Sequence, residues 1–337
     1  NAGPLVEPTT AEQAKNKLVD LPPFLLSHND QVAIQQGWTV KDDFSGWAGR
    51  SLELLPSELR HPINAVTMSS ARTLVLGTGL HPVLPADTRP SVRQWHSHQM
   101  LSALADLGSL ERDRFAVVGA GQSAAEVVAY LHQTYPRAEV HGVFSRYGYS
   151  LADDSAFVNR IFDPSAVDEF YGADSAERRR LLDYHRSANY SAVDVDLIED
   201  LYSREYGERV TGDRRLFMHR ACTVVGADED DTEVRLGVRN LIDNTSETLH
   251  CDAVVYATGY APMDVPAFLG ELASRYEFDA QGRPLATRDY RLVARSDAPG
   301  DIYLNGATVE HSHGLGATLL SNVAVRSGEI AQALTVR

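Results

Sequence analysis

One stretch, FAVVGAGQSAAE between Phe115 and Glu126, constrains the fold more than any other part of this 337-residue chain. Four apolar residues typical of a buried strand run into two glycines, and Ser123–Thr134 then has the apolar spacing of a helix. A further β-prone segment, Glu139–Phe144, follows the helix. Strand, glycine-rich turn, helix and strand within about 30 residues predict a βαβ unit, and therefore a parallel sheet in an α/β fold.

The turn itself fits the pattern G-x-G-x-x-A. Gly119 permits a tight turn, Gly121 lets backbone amides approach a pyrophosphate, and Ala124 keeps the helix close to the strand. The pyrophosphate would then lie at the positive N-terminus of the helix. A glycine turn in an unrelated α/β unit is the alternative, but the position between a predicted strand and a predicted helix favours a dinucleotide site.

The residues after the next strand indicate which dinucleotide binds. An NAD site places an acidic residue there for the ribose hydroxyls, whereas an NADP site often offers an arginine. This chain has Ser145 and Arg146 at that point. The pair favours NADPH, with Arg146 facing the 2′-phosphate; the alternative is an ordinary solvated surface arginine.

The remaining elements are predicted from periodicity and turn residues. Ala71–Gly79 is expected to be a buried strand and Trp95–Leu107 a helix, and Thr248–Tyr256 should close an antiparallel meander with a final parallel strand, Ala253–Ala257. The other predicted elements are the helices Ala176–His185, Val193–Arg209 and Gly316–Ala333, and the strands Arg220–Val225, Glu233–Val238 and Asp301–Asn305.

Composition narrows the class of protein. Hydrophobic residues make up 43% and charged residues 23% of the chain, as in ordinary soluble domains. A net charge of -15 argues against nucleic acid or an anionic membrane as a partner. No apolar run is long enough for a membrane span, and two distant cysteines, Cys222 and Cys251, exclude a disulfide scaffold and a CxxC pair. A cytoplasmic enzyme is the expectation.

The chain resembles the flavin-dependent N-hydroxylating monooxygenases, the ornithine and lysine N-hydroxylases of siderophore and related peptide biosynthesis. Six stretches carry the resemblance in the family's order across about 71–330: GAGQSAAE (Gly119–Glu126), DDSAFVNRIFDP (Asp153–Pro164), NYSAVDVDLIEDLY (Asn189–Tyr202), ATGY (Ala257–Tyr260), RDY (Arg288–Tyr290) and HGLGATLLS (His313–Ser321).

The resemblance implies FAD and NADPH as cofactors. NADPH would reduce FAD, the reduced flavin would capture O2 as a C4a-hydroperoxide, and the side-chain amine of L-ornithine or L-lysine would attack the distal oxygen. The protein would position the amine and exclude water. The sequence leaves ornithine, lysine and other amines open, although the matching stretches favour ornithine. A homo-oligomer, tetramer or dimer, is also implied.

The same resemblance assigns roles to individual residues. Asn159, Asn189 and Ser321 would bind the amino acid, with Asn189 also acting as a catalytic residue that reaches the nicotinamide ribose. Without the resemblance, Asn159 could equally cap a helix and Asn189 close a turn. The NADPH set is Gly119, Gly121, Gln122, Ser123, Ser145 and Arg146, and the FAD set is Gly77, Gly79, Thr258, Gly259, His313, Gly314 and Leu320. Two parts of the FAD set, Gly77 to Gly79 and Thr258 with Gly259, follow predicted strands, and both could also be ordinary turns that end a strand.

The resemblance implies two Rossmann-like dinucleotide-binding domains with a smaller helical substrate region. We assign 1–106 to the first part of the FAD domain, 107–250 to the NADPH domain with the helical insertion, and 251–337 to the rest of the FAD domain and the C-terminal helix. The family's FAD fingerprint is not visible, because the glycines before Val66 form no G-x-G-x-x-G. Three explanations remain open for the absent fingerprint: segments are missing from the sequence, the protein is a fragment, or its N-terminal segment has diverged. An NADPH-binding remnant without flavin catalysis is therefore an alternative function.

Two polar groupings carry weaker expectations. Glu310, His311 and His313 invite a metal interpretation, but two histidines on a loop without a further cluster predict no site. Asp153 and Asp154 are adjacent, so their carboxylates are expected to point apart, and a solvated or capping role is favoured over acid–base chemistry.

Overall fold

The computed structural model describes residues 72–86, 88–108 and 114–335, which form an α/β protein with parallel sheets. The described chain divides into two compact units. Unit 1 contains the residues up to Leu80, Ile161–Arg179 and those from Pro262 onward; unit 2 contains His81–Arg160 and Arg180–Ala261. Each unit is therefore assembled from separate stretches of chain.

Unit 2 is built on a 5-stranded sheet of order β3-β10-β4-β5-β6. Every neighbouring pair in it is parallel, so all the carboxyl ends of the strands lie along one edge. The strands are β3 (Gln94–His96), β4 (Arg114–Val118), β5 (Glu139–Val143), β6 (Leu216–His219) and β10 (Ala253–Tyr256).

Alternation along β4 explains how both faces of this sheet are covered. Phe115 and Val117 belong to one buried cluster, and Ala116 between them belongs to another, as the two-residue period of a strand requires. The first cluster packs under three helices, and the second under a three-stranded sheet. The helices are α1 (Met100–Leu107), α2 (Gln122–Thr134) and α6 (Val195–Thr211).

The covering three-stranded sheet is the predicted antiparallel meander. Its strands, β7 (Cys222–Glu229), β8 (Val234–Asn240) and β9 (Ser246–Cys251), pair in sequence order, and the chain then enters the parallel strand β10 as expected. The predicted strand Thr248–Tyr256 is divided at Asp252. The Oδ2 atom of Asp252 accepts a hydrogen bond from the Arg114 amide at 2.7 Å, which fastens the chain as it moves from one sheet to the other.

Unit 1 has its own core around a parallel pair of strands, β1 (Thr73–Leu76) and β12 (Asp301–Leu304). Ile302, Tyr303 and Leu304 are fully buried there. The helices of this unit are α4 (Ala166–Gly172), α7 (Val265–Leu269), α8 (Glu310–His313) and α9 (Val323–Thr335). The remaining elements of the described chain are β2 (Leu80–Pro82), which pairs with β11 (Tyr260–Pro262), and the helices α3 (Ala156–Asn159) and α5 (Ser175–Tyr184).

Two predicted elements differ from the structure, and one strand was not predicted. Within Trp95–Leu107 the α-helix begins at Met100, after a 3-10 helix at Ser97–Gln99, because Trp95 and its neighbours form the buried strand β3 beside β10. The C-terminal helix begins at Val323, after two short 3-10 turns. Strand β6 was not predicted at all, since its four residues lie between the long helix α6 and the meander.

The compact units have limits of their own. The chain crosses between them at 80/81 and 261/262, because β3 and β10 pair within the sheet of unit 2. The limits at 106/107 and 250/251, which concern cofactor-binding domains, stay a prediction. Part of the helical insertion, Ile161–Arg179, belongs to unit 1. The segment before Val66, in which a FAD fingerprint was sought, lies outside the described residues. None of the helices in the described ranges combines the length and apolar character needed to cross a bilayer.

Candidate dinucleotide-binding site

The glycine turn follows β4 at the carboxyl edge of the unit 2 sheet. Gly119 has φ 148°, a conformation that residues with side chains rarely adopt. A Cβ atom there would lie 2.3 Å from the carbonyl oxygen of Ala257 and 3.1 Å from the Cβ of Ala124. Strand β10 and helix α2 are therefore packed so closely around the turn that only glycine fits, as the sequence pattern predicted.

Gly121 begins the helix and leaves its N-terminus open. The first helical hydrogen bonds run from the amides of Ala124 and Ala125 to the oxygen of Gly121, at 3.0 and 3.1 Å, and no side chain caps this end. The amides of Gln122 and Ser123 precede those bonds. Such amides, together with the helix dipole, attract a phosphate group.

Arg146 follows β5 at the same edge. Its Nη1 donates to the Oγ of Ser150 at 2.5 Å and to the backbone oxygen of Ser191 at 2.9 Å. Ser191 has φ 56°, and its Cα would be 3.3 Å from a Cβ on Gly121. The arginine thus connects the loop after β5 to the loop that lies against the glycine turn. Ser145, beside it, is exposed.

The side chain of Gln122 is already occupied by contacts within unit 2. Its Nε2 donates to Asp194 Oδ2 at 3.0 Å and to Glu126 Oε1 at 3.1 Å, and its Oε1 accepts from the Asp194 amide at 2.9 Å. Asp194 is the N-cap residue of α6. The side chain of Gln122 therefore connects α2 to the start of α6. Its backbone N–H is the group that belongs to the open N-terminus of α2.

The two predicted substrate asparagines both lie in unit 2, in different surroundings. Asn189 follows a 3-10 turn and stands two residues before Ser191, so it belongs to the loop beside the glycine turn. Asn159 is exposed at the end of α3, where its Nδ2 donates to the backbone oxygen of Asp154 at 2.7 Å. Asp153 Oδ1 accepts from the Ser155 amide at 3.3 Å, a local turn bond just before α3, whose N-cap residue is Ser155.

The residues predicted for FAD are divided between the two units. Thr258 and Gly259 lie in unit 2, directly after β10, where the Gly259 oxygen is 2.9 Å from Nε2 of His96. Burial, reinforced by the neighbouring His98, lowers the pKa of His96 to about 4, so this imidazole is neutral at pH 7. Gly77 and Gly79 follow β1 in unit 1.

His313 and Gly314, also in unit 1, pack within the core. The imidazole of His313 is 2% exposed and lies between the rings of Tyr290 and Tyr171, with centroids at 4.4 and 5.1 Å. Burial lowers its pKa to about 4. Gly314 has φ 87°, and a Cβ there would approach the ring of Phe170 to 3.3 Å. His313 is also hydrogen-bonded within unit 1: its Nδ1 lies 2.9 Å from Ser312 Oγ and its Nε2 3.3 Å from the backbone oxygen of Arg288.

A small cavity lies beside His313 and is lined by polar groups from α9 and the turn before it. Arg326 is buried there, and its Nε donates to Asn305 Oδ1 at 2.6 Å. Glu329 also lines the cavity and is 3.2 Å from Arg288, which additionally pairs with Asp168 at 2.6 Å. Leu320 and Ser321 precede α9 and are exposed.

Within the described residues, no group of three or more histidine, cysteine or acidic side chains could hold a metal ion. His311, one of the residues weighed as a metal ligand, instead has its Nε2 3.0 Å from the backbone oxygen of Pro284.

Several residues of the edge were not found from the sequence. Ser150, Ser191 and Asp194 reach the site through tertiary contacts, for which the sequence carries no local signal. Tyr147 and Arg220 are different, because each follows a strand of the sheet. Tyr147 comes directly after Arg146 beyond the predicted strand β5, and Arg220 would have been found from the end of β6, had that strand been recognised.

Comparison with known proteins shows the family to which the chain belongs. The family model described as L-lysine 6-monooxygenase/L-ornithine 5-monooxygenase matches residues 48–262. The chain belongs to this family. An L-ornithine N(5)-monooxygenase of Emericella nidulans is 33% identical over 288 residues, covering 80% of this chain and 57% of the relative. One from Pseudomonas aeruginosa is 34% identical, covering 79% and 60%.

Solved structures of the family have the same fold. The ornithine N-hydroxylase of Kutzneria sp. 744, in a complex named with reduced FAD, NADP+ and L-ornithine, has a TM-score of 0.74 and 42% identity, covering 79% of this chain and 63% of that one. The L-lysine 6-monooxygenase of Pseudomonas syringae has a TM-score of 0.68 and 32% identity, covering 78% and 64%. The chain thus spans less than two thirds of the length of these proteins.

Proposed function

We propose that this protein is an NADPH- and FAD-dependent monooxygenase that hydroxylates the side-chain amine of L-ornithine, or of L-lysine, for siderophore or related peptide biosynthesis. The glycine turn at Gly119 and Gly121 is the observation that carries the proposal. It combines a backbone with no room for side chains, an uncapped helix N-terminus and an arginine after the next strand. That combination suits a phosphorylated dinucleotide.

The residues of unit 2 fit NADPH group by group. The amides of Gln122 and Ser123 would bind the pyrophosphate, and Arg146 the 2′-phosphate. Both hydrogen bonds that Arg146 makes within the described residues use Nη1, so the rest of its guanidinium can serve a ligand. Asn189, on the loop that Arg146 fastens, would contact the nicotinamide ribose and the substrate.

Family membership supports FAD as the second cofactor, in a two-dinucleotide-domain flavoprotein. When bound, FAD supplies the redox chemistry: it takes two electrons from NADPH and activates O2 for transfer of one oxygen atom to an amine. Asn159 and Asn189 would bind the amino acid, because an amide side chain offers a donor and an acceptor to its paired charges. Leu320 and Ser321, exposed before α9, are the proposed contacts of flavin and substrate.

The activity is tested on the purified full chain supplied with FAD. Bound flavin is measured by absorbance, NADPH oxidation is followed with ornithine, lysine and a simple diamine, and the hydroxylated amine is quantified directly. We expect bound flavin and hydroxylated ornithine in excess of hydroxylated lysine. NADPH oxidation without any hydroxylated amine overturns the proposal, and NADP+ binding without flavin binding supports the alternative of an NADPH-binding remnant.

Cofactor choice is tested with Arg146→Ala. The variant should lose about 1.5–3 kcal/mol of binding free energy for NADPH, the range for a hydrogen bond to a charged group, and little for NADH. An equal loss for both cofactors, measured by titration, would remove the 2′-phosphate from the proposed role of Arg146.

A homo-oligomer in the cytoplasm, either a tetramer or a dimer, is also part of the proposal. Its support is the family resemblance. Light scattering on the purified protein gives the oligomeric mass directly, and a monomer across the working concentration range would reject it.

A further inference from the structure

Strand β6 brings a second arginine to the edge where the dinucleotide would bind. β5 and β6 are parallel neighbours, so the residues that follow them lie side by side. The Phe144 amide donates to His219 O at 3.1 Å, and the Ala221 amide donates to Arg146 O at 2.7 Å. The backbone of Arg220, which lies between His219 at the end of β6 and Ala221, is thereby held next to the loop that carries Arg146.

The side chain of Arg220 is turned toward the same loop. Its guanidinium carbon lies 5.1 Å from the ring centroid of Tyr147, which is a cation–π distance. The tyrosine is 70% exposed, and Arg220 is exposed as well. An arginine and an aromatic ring are thus held together on the surface, one residue beyond Arg146 and at the end of the adjoining strand.

Neither arginine is neutralised within the described ranges. Arg146 donates to a hydroxyl and a carbonyl, and no carboxylate lies within ion-pair distance of Arg146 or Arg220. Two arginines elsewhere in unit 2 are neutralised: Arg204 pairs with Asp200 at 2.7 Å and Arg235 with Asp230 at 2.6 Å. In a chain of net charge -15, two neighbouring unpaired guanidinium groups are suited to a dianionic ligand.

We propose that Arg220 is a second specificity-determining residue for the 2′-phosphate of NADPH, with Tyr147 providing a stacking surface for the adenine. This inference rests on the proposed function, since it deepens the NADPH site. Arg146 and Arg220 would approach the phosphate from neighbouring strand ends. The Tyr147 ring, held by the guanidinium of Arg220, would stack on the adenine base. The strength of this stacking does not depend on whether the ligand carries the 2′-phosphate.

The test compares two ligands that differ only in the 2′-phosphate, adenosine 2′,5′-bisphosphate and adenosine 5′-monophosphate, by calorimetry on the full chain. Arg220→Gln should weaken the bisphosphate about tenfold and leave the monophosphate within about twofold. Arg220→Lys keeps the charge and should recover part of the loss. Arg239→Gln is the matched control, because Arg239 is an exposed arginine of β8 and the variant makes the same change in net charge.

The outcomes separate the two proposals. A wild-type protein that does not prefer the bisphosphate contradicts the proposed NADPH site itself. A wild-type preference that survives Arg220→Gln, or that falls equally in Arg239→Gln, overturns the role of Arg220 and leaves the NADPH site standing. Tyr147→Leu should weaken both ligands by a similar factor; a loss confined to the bisphosphate overturns the adenine assignment. Urea unfolding of each variant verifies that the fold is retained.

Discussion

The carboxyl edge of the unit 2 sheet and the region around Arg288 in unit 1 use their charged side chains in opposite ways. At the carboxyl edge of the unit 2 sheet, Arg146 and Arg220 have no carboxylate partner among the described residues, and the first amides of α2 precede any helical bond. In unit 1, Arg288 is paired with both Asp168 and Glu329. The donors at the sheet edge thus stay available for a ligand, whereas the donors of Arg288 are used in ion pairs within the protein.

Glycine marks a second contrast between the units. Gly119 leaves space for a carbonyl of the neighbouring strand, which cannot move without disturbing the sheet. Gly314 leaves space for the ring of Phe170, a side chain that can adjust. The same residue type therefore has different consequences when it is replaced, which two of the four predictions below test directly.

The largest effect is expected for Gly119→Ala. The positive φ and the 2.3 Å approach to the Ala257 oxygen should together cost about 3 kcal/mol or more in the free energy of unfolding, and NADP+ binding should be lost. Urea titration and calorimetry measure the two effects. Gly207→Ala, in the exposed middle of α6, is the control and should stabilise by about 0.5–1 kcal/mol. Equal behaviour of the two variants would contradict the steric explanation.

Acid should destabilise the protein through its buried histidines. Burial lowers the pKa of His313 from 6.5 to about 4, so between these values the unfolded chain binds more protons than the folded one. The contribution of His313 to the free energy of unfolding is therefore fully present above pH 6.5 and falls toward pH 4, by up to about 1.4 kcal/mol per pH unit. When the free energy of unfolding from urea titrations is plotted against pH in that range, the slope for His313→Gln should be smaller than the slope for wild type. His81→Gln, at an exposed position, is the control.

Gly314→Ala should cost less than Gly119→Ala, about 1–2 kcal/mol, because its strain comes from φ and a movable ring. Adding Phe170→Leu should recover the part due to the ring. A double-mutant cycle in urea measures the coupling, with Gly328→Ala in α9 as the matched control. A cost as large as that of Gly119→Ala would erase the contrast between the two glycines.

The smallest effect is expected for Gln122→Ala, about 1 kcal/mol in unfolding free energy, from losing its bonds to Asp194. Because the two residues share these bonds, Asp194→Ala should add little once Gln122 is changed. NADP+ affinity should fall only slightly, as the backbone amide remains. A large loss of affinity would instead place the Gln122 side chain on the cofactor.

Local signals allowed one part of the fold to be predicted almost residue by residue. β4, α2 and β5 begin and end within one residue of the expected limits, because an apolar run, a glycine turn and a helix lie consecutively there. Trp95 was assigned to a helix because its strand pairing with β10 depends on residues far along the chain. β6 was missed for the same reason, since four residues carry too little periodicity.

The candidate site residues depend on the same distinction. The positions of Gly119, Gly121 and Arg146 at the carboxyl edge of the sheet follow from the predicted strands that precede them, while their roles in binding stay predictions. The positions of Ser191 and Arg220 could not be predicted, because the first depends on a positive φ in a loop and the second on an unrecognised strand.

The pairing of β1 with β12 has a consequence for biosynthesis. All five strands of the unit 2 sheet have left the ribosome once Tyr256 emerges, but β1 receives its parallel partner only when Asp301–Leu304 follow. The edge of β1 that pairs with β12 must therefore wait until the long stretch between the two strands has been synthesised, which is the circumstance in which unpaired β-edges aggregate and chaperones are needed. The order of synthesis lets the parallel sheet of unit 2 form before the β1–β12 pair of unit 1 closes.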